Sequence, residues 1–73
     1  MMNEKTYLKE ILAGLEEGLS HQKKFLNSLK GWVNLCQAEG KSLVNPLQIL
    51  VSEGEARKTS VSKAIDAVKA QMR

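Results

Sequence analysis

An all-α chain folded into an antiparallel helical hairpin is what this sequence predicts, and three observations carry the expectation. Apolar residues recur in alternating steps of four and three from Leu8 through Leu12, Leu15, Leu19, Leu26, Leu29, Val33 and Cys36, with Gln22 as the one polar member. A second series with the same period runs Leu47, Val51, Gly54, Lys58, Val61, Ile65, Val68 and Met72. Between the two stand a glycine, Gly40, and an Asn45-Pro46 pair. The heptad period belongs to helices whose apolar stripes cover one another, and a short connection between such helices makes them antiparallel neighbours.

The first element is expected over residues 3–38. Its end is set by Gly40, where the chain needs a residue that tolerates positive φ after the last helical turn. Gly14, Gly18 and Gly31 lie inside the pattern, each at a cost of about 1 kcal/mol relative to alanine. Two outcomes follow. The helix runs through them, with a possible bend near Gly18, or Ser20 caps a new helix and the chain splits into three, over 3–17, 20–38 and 46–71. The heptad phase passes from Leu15 through Leu19 to Leu26 without a slip, which favours the single long helix. Gly14 and Gly18 also form a small-xxx-small pair, the spacing at which a neighbouring backbone comes close.

The loop is expected over 39–45. Asn45 reads as an N-cap, Pro46 as the first helical residue and Gln48 as the reciprocal member of a capping box, so the second helix is expected over 46–72. Residues 1–73 then form one small domain. If the helices align about the loop, Gln22 lies level with the Val61 region and Lys58 near Phe25, giving a polar layer in the middle of both seams. Lys58 would snorkel to solvent there, or offer a polar contact to a partner.

Size limits what this chain can do alone, because a domain of about 60 residues removes only about 60% of its unfolded surface from water. One cysteine, Cys36, excludes an intrachain disulfide, and one histidine, His21, leaves no Cys/His ligand set for zinc. No metal and no cofactor are expected. Helix packing and association remain as sources of stability. The longest aliphatic run is Ile49 to Val51, too short to span a membrane, so a cytoplasmic protein is expected. A net charge of +3 and a pI near 9.2 suit an acidic partner without requiring one.

Catalysis lacks its usual residue sets: there is no oriented Ser/Cys–His pair, no glycine-rich phosphate loop and no convergent carboxylate pair. His21 falls at an outer heptad position and Cys36 on the seam, so neither is placed to react. No enzymatic activity and no small-molecule substrate are expected. What does stand out is the width of the first helix's apolar face. Ile11, Phe25 and Trp32 each precede an a position and so sit at g, while Leu50 and Ala64 hold the g positions of the second helix. Apolar a, d and g positions together imply contact with two neighbouring helices. The expectation is a protein-docking face of Ile11, Leu15, Phe25, Leu29 and Trp32, covered by a second copy in a four-helix bundle or by a partner's helix. An adaptor, a chaperone-like cap or a stoichiometric inhibitor would use such a face.

A second class of function comes from Gly54 to Asp66. Ser60, Val61, Ser62 and Lys63 resemble the recognition-helix half of a helix-turn-helix, with Gly54 as the turn glycine. The resemblance implies DNA binding through Arg57, Lys58, Ser60 and Lys63, with hydroxyls and cations reaching phosphates and base edges. From Arg57 to Arg73 there are five basic residues against one acidic, Asp66. The overall plan, two helices broken at Asn45-Pro46 with an ending Lys63-Ala-Ile-Asp-Ala-Val-Lys-Ala-Gln-Met-Arg, is also similar to the subunits of type III secretion needles. Small secretion chaperones share that plan.

Overall fold

The structure, a computed structural model, describes residues 4–73. Two helices make up the fold: α1, Glu4–Glu39, and α2, Val44–Gln71. They lie against each other along most of their length and form a rod of 56 × 16 × 15 Å. The antiparallel hairpin read from the two seams is therefore the architecture found. The expected helix start at Asn3 lies outside the described residues.

Every member of both heptad series faces the other helix. All nine seam positions of α1, from Leu8 to Cys36, and all eight of α2, from Leu47 to Met72, are buried or half-buried. Leu8, Leu26, Leu29, Val33 and Ile65 form the buried apolar core among the described residues. A leucine such as Leu29, 1% exposed, contributes on the order of 2 kcal/mol through apolar surface removed from water. α1 runs without interruption through Gly14 and Gly18, so the three-helix alternative is not the one adopted. Nothing lies within 4 Å of a Cβ built on either residue. Their side of α1 therefore faces away from α2.

The turn is tighter than expected. Gly40 has φ +65°; its N–H donates to the Gln37 carbonyl and the Lys41 N–H donates to the Cys36 carbonyl at 2.9 Å. These paired bonds are a Schellman closure, which satisfies carbonyls the helix end would otherwise leave open. Only residues 40–43 separate the helices. α2 starts at Val44 with Leu43 in the cap position, and no side chain caps it. The expectation that Asn45 caps and Pro46 opens the helix is thus corrected. The first helical N–H with a partner is that of Leu47, donating to the Leu43 carbonyl at 3.1 Å. Pro46 still sits where a missing N–H costs nothing, and so permits a start two residues earlier than its usual place.

Gly54 is where the helices come closest. It is buried in mid-helix, and a Cβ there would stand 2.6 Å from Leu26 Cδ2 and 3.0 Å from Gln22 Nε2. Gln22 is thus found against Gly54, one heptad nearer the loop than the Val61 region. An alanine at Gly54 would gain about 1 kcal/mol of helix propensity but would push a packed leucine off its position, at a cost of about 1–3 kcal/mol. The expected result is that Gly54→Ala lowers stability or leaves it unchanged. Gly31→Ala, on an exposed face with nothing near its Cβ, raises it by about 0.5–1 kcal/mol. Urea unfolding of the two variants checks this, and stabilisation by Gly54→Ala would show that the close approach is absent.

Candidate functional site

The hairpin has two long edges, and they differ in chemistry. On one, α1 supplies Lys30 and Asn34 and α2 supplies Gln48, Ser52 and Glu55. On the other stand the g residues. Phe25 and Leu50 line a shallow groove there with Gln22, Glu53, Gly54 and Arg57. An antiparallel pair brings the g positions of both helices to the same side, which is why residues from distant parts of the chain share this edge.

The apolar edge belongs mainly to α1. Ile11, Phe25 and Trp32 are 44%, 47% and 48% exposed, although their seam neighbours are covered by α2. The rings of Phe25 and Trp32 lie edge to face with centroids 6.5 Å apart at 75°. An edge-to-face aromatic pair contributes on the order of 1 kcal/mol beyond the area it covers, and here it holds two large rings in one outward patch. Seven residues separate them, two turns, so one ring stands above the other along the helix. Turning 100° per residue, the c positions lie about 40° beyond the g positions, and the g positions lie roughly 90° around α1 from the direction of α2. That is close to where a four-helix bundle places its adjacent helix.

The five residues expected to dock do not all reach this edge. Leu29 is 1% exposed and belongs to the core between α1 and α2. Its d position points it at α2, so it is corrected from a docking residue to a structural one. Leu15, also on the seam, is half-buried and contributes at most its rim. Two residues that the heptad reading overlooked, Tyr7 and Leu35, are exposed apolar side chains at c positions, beside the g line. Their signal was available: on a helical wheel c lies next to g, and a stripe defined by a, d and g alone omits it.

The candidates for DNA contact are dispersed. Arg57, Ser60 and Lys63 are exposed, but Arg57 lines the groove beside Phe25. Lys58 is half-buried on the seam, and its ammonium lies 3.4 Å from the Glu55 carboxylate. α2 is continuous through Gly54, so the turn that a helix-turn-helix places before its recognition segment is not formed. Gly54 instead packs on Leu26. The hydroxyl of Thr59 donates back to the Glu55 carbonyl at 3.1 Å. His21 is exposed and 3.6 Å from Glu17, an i,i+4 surface pair of little energetic consequence. Cys36 is a half-buried free thiol.

Glu55 joins the helices on the polar edge. Its carboxylate accepts Lys30 Nζ at 2.8 Å and lies 3.4 Å from Lys58 Nζ. Lys58, half-buried on the seam, thus carries its ammonium out to the polar edge beside Glu55. The hydrogen bond from Lys30, then that from Lys58, holds the Glu55 carboxyl below its ordinary value of 4.5. Because the folded-state value is the lower one, the contribution is complete above pH 4.5 and is lost as pH falls through the depressed value. Glu55→Gln should therefore be less stable than the parent at neutral pH, by a margin that closes on acidification and shrinks in high salt. Urea midpoints measured across pH test this; a margin that stays constant into acid would remove the ion pair from the account.

Among the described residues no helix is long and apolar enough to cross a membrane. Compared with known proteins, the chain matches no family model, no curated protein and no solved structure.

Proposed function

We propose that this chain is a non-enzymatic interaction protein that works by burying the aromatic edge of α1 against another protein surface. One observation carries the reading: Phe25 and Trp32 stand half-exposed beside Leu26, Leu29 and Val33, which α2 covers. Isolated surface leucines are ordinary, whereas adjoining large apolar side chains on one edge mark an interaction surface. Tryptophan and other aromatics also dominate the energetics of the interfaces in which they are buried.

The shape of the molecule supports the same reading. Its accessible surface is 5513 Å², whereas a compact monomer of 8.1 kDa exposes about 4,500 Å². The excess, roughly 1,000 Å², is similar to the area of about 800 Å² that one partner contributes to a standard interface. The radius of gyration is 16.7 Å, against about 11 Å for a globule of this length. A two-layer rod has little interior, and a further layer would give it one. As an adaptor, a cap or an inhibitor, the chain would use this edge in the same way.

Trp32 is the sole tryptophan, so its emission reports directly on the edge. Docking is expected to shift that emission to the blue. Phe25→Ala combined with Trp32→Ala is expected to weaken association at least a hundredfold, about 3 kcal/mol or more, as loss of central aromatic anchors does. Far-UV helix content should be unchanged, because neither ring lies in the α1–α2 seam. Sedimentation and circular dichroism of the double variant test both statements together. Association that survives the double substitution would overturn the proposed function.

A further inference from the structure

Resting on that reading, we propose that the surface covering the aromatic edge is a second copy of this chain, with α1 of one copy antiparallel to α1 of the other about a two-fold axis between His21 and Gln22. That point is the midpoint of α1, so the two helices overlap over their whole length. An isologous contact of this kind requires a surface complementary to itself under reversal. The edge of α1 has that property.

Reversal about the midpoint sets Phe25 over Gly18 of the second copy, and Ile11 over the second copy's Trp32. It also sets Tyr7 beside the second copy's Leu35. All six positions are exposed. The largest outward rings thus fall on a glycine with nothing within 4 Å of its Cβ position and on an aliphatic side chain. The Gly14/Gly18 spacing, which faces nothing within the hairpin, becomes a recess for the other copy's rings. Close packing of large side chains opposite small ones is the normal way in which helix faces interdigitate.

Charge selects the same direction. The charges that flank the edge are those of the f line, Glu10 and Glu17 followed by Lys24; Glu16, Lys23 and Lys30 stand at e positions on the opposite edge. Antiparallel pairing lays Glu17 within one turn of the second copy's Lys24, and Lys24 within one turn of the second copy's Glu17. Parallel pairing would set Glu17 beside Glu17 and Lys24 beside Lys24, a repeated unfavourable juxtaposition. The surplus surface is also of the size that one protomer of a standard dimer buries. A four-helix bundle of two hairpins results, with the polar Lys30–Glu55 edges on its outside.

The test uses the full chain carrying Cys36→Ser and a single nitroxide label, either at His21→Cys or at Ser28→Cys. Each residue away from the axis separates the two copies of a label by about 3 Å, twice the helical rise. The axial separation should be about 2 Å at position 21 and about 20 Å at position 28, read by dipolar spectroscopy. Equal separations at the two positions would overturn the antiparallel α1 pairing. A monomer by sedimentation at concentrations of about 100 μM, beyond which association would be weak by the usual scale, would overturn the second copy as occupant. Neither result touches the docking edge itself, which stands or falls with the Phe25 and Trp32 substitutions. Gly18→Leu supplies the independent variant. It adds apolar surface and helix propensity, so an unspecific greasy contact would strengthen; a filled recess weakens the dimer, by at least tenfold, with helix content retained. Unchanged or tighter association of Gly18→Leu would overturn the proposed pairing.

Discussion

Leu26 seats against the bare Cα of Gly54, and most of the hairpin is arranged around that contact. It brings α2 near enough for Leu29 and Val33 to lose their solvent, and it draws the Gln22 amide over the same glycine. A side chain at this point would hold the helices apart and loosen the packing on both sides, since dispersion contacts fall off steeply with small gaps. The core is short and its best-covered residues cluster here. Leu8 and Ile65 extend it towards the open end, where no loop ties the helices together.

From this narrow seam follows the difference between the two edges. With only two helices, each can cover one stripe of the other, and whatever apolar residues stand outside a and d remain in water. On the polar edge the chain resolves this with charge: Glu55 bridges Lys30 and Lys58 across the helices. Such exposed pairs contribute modestly to stability and mainly fix which residues lie side by side. The other edge has no such device. There Ile11, Phe25 and Trp32 remain exposed, with Gly18 on the same line of α1 and with Glu53 and Arg57 of α2 at the groove beside Phe25.

The periodicity made most of the architecture legible, down to the half-buried status of polar Gln22 and Lys58, because a heptad pattern states which side of its own axis each residue occupies. It also made the turn legible, since Gly40 adopts the left-handed conformation that its position required. The exposed apolar edge was legible in part. Ile11, Phe25 and Trp32 were identified through their g positions, whereas Leu29 was assigned to the docking face although its d position directs it into the hairpin. Tyr7 and Leu35 went unnoticed because they belong to the c line. The likeness of Gly54 to Asp66 to a recognition segment failed for a different reason. A glycine followed by small hydroxyl residues fits a turn, and it equally fits a helix that another helix approaches closely.

The amino-acid order by itself determined two amphipathic helices, the place where the chain reverses and the surplus of apolar residues on α1. Each of these depends on neighbours within a few positions along the chain. Only the tertiary structure decided that α2 begins at Val44, that Gly54 is a point of close approach, and that Glu55 pairs with Lys30. The physical reason is that a periodic pattern specifies direction around an axis but not the separation or the axial register of two helices. Those are settled jointly by the volumes of facing side chains, here a leucine on one helix and the absence of any side chain on the other.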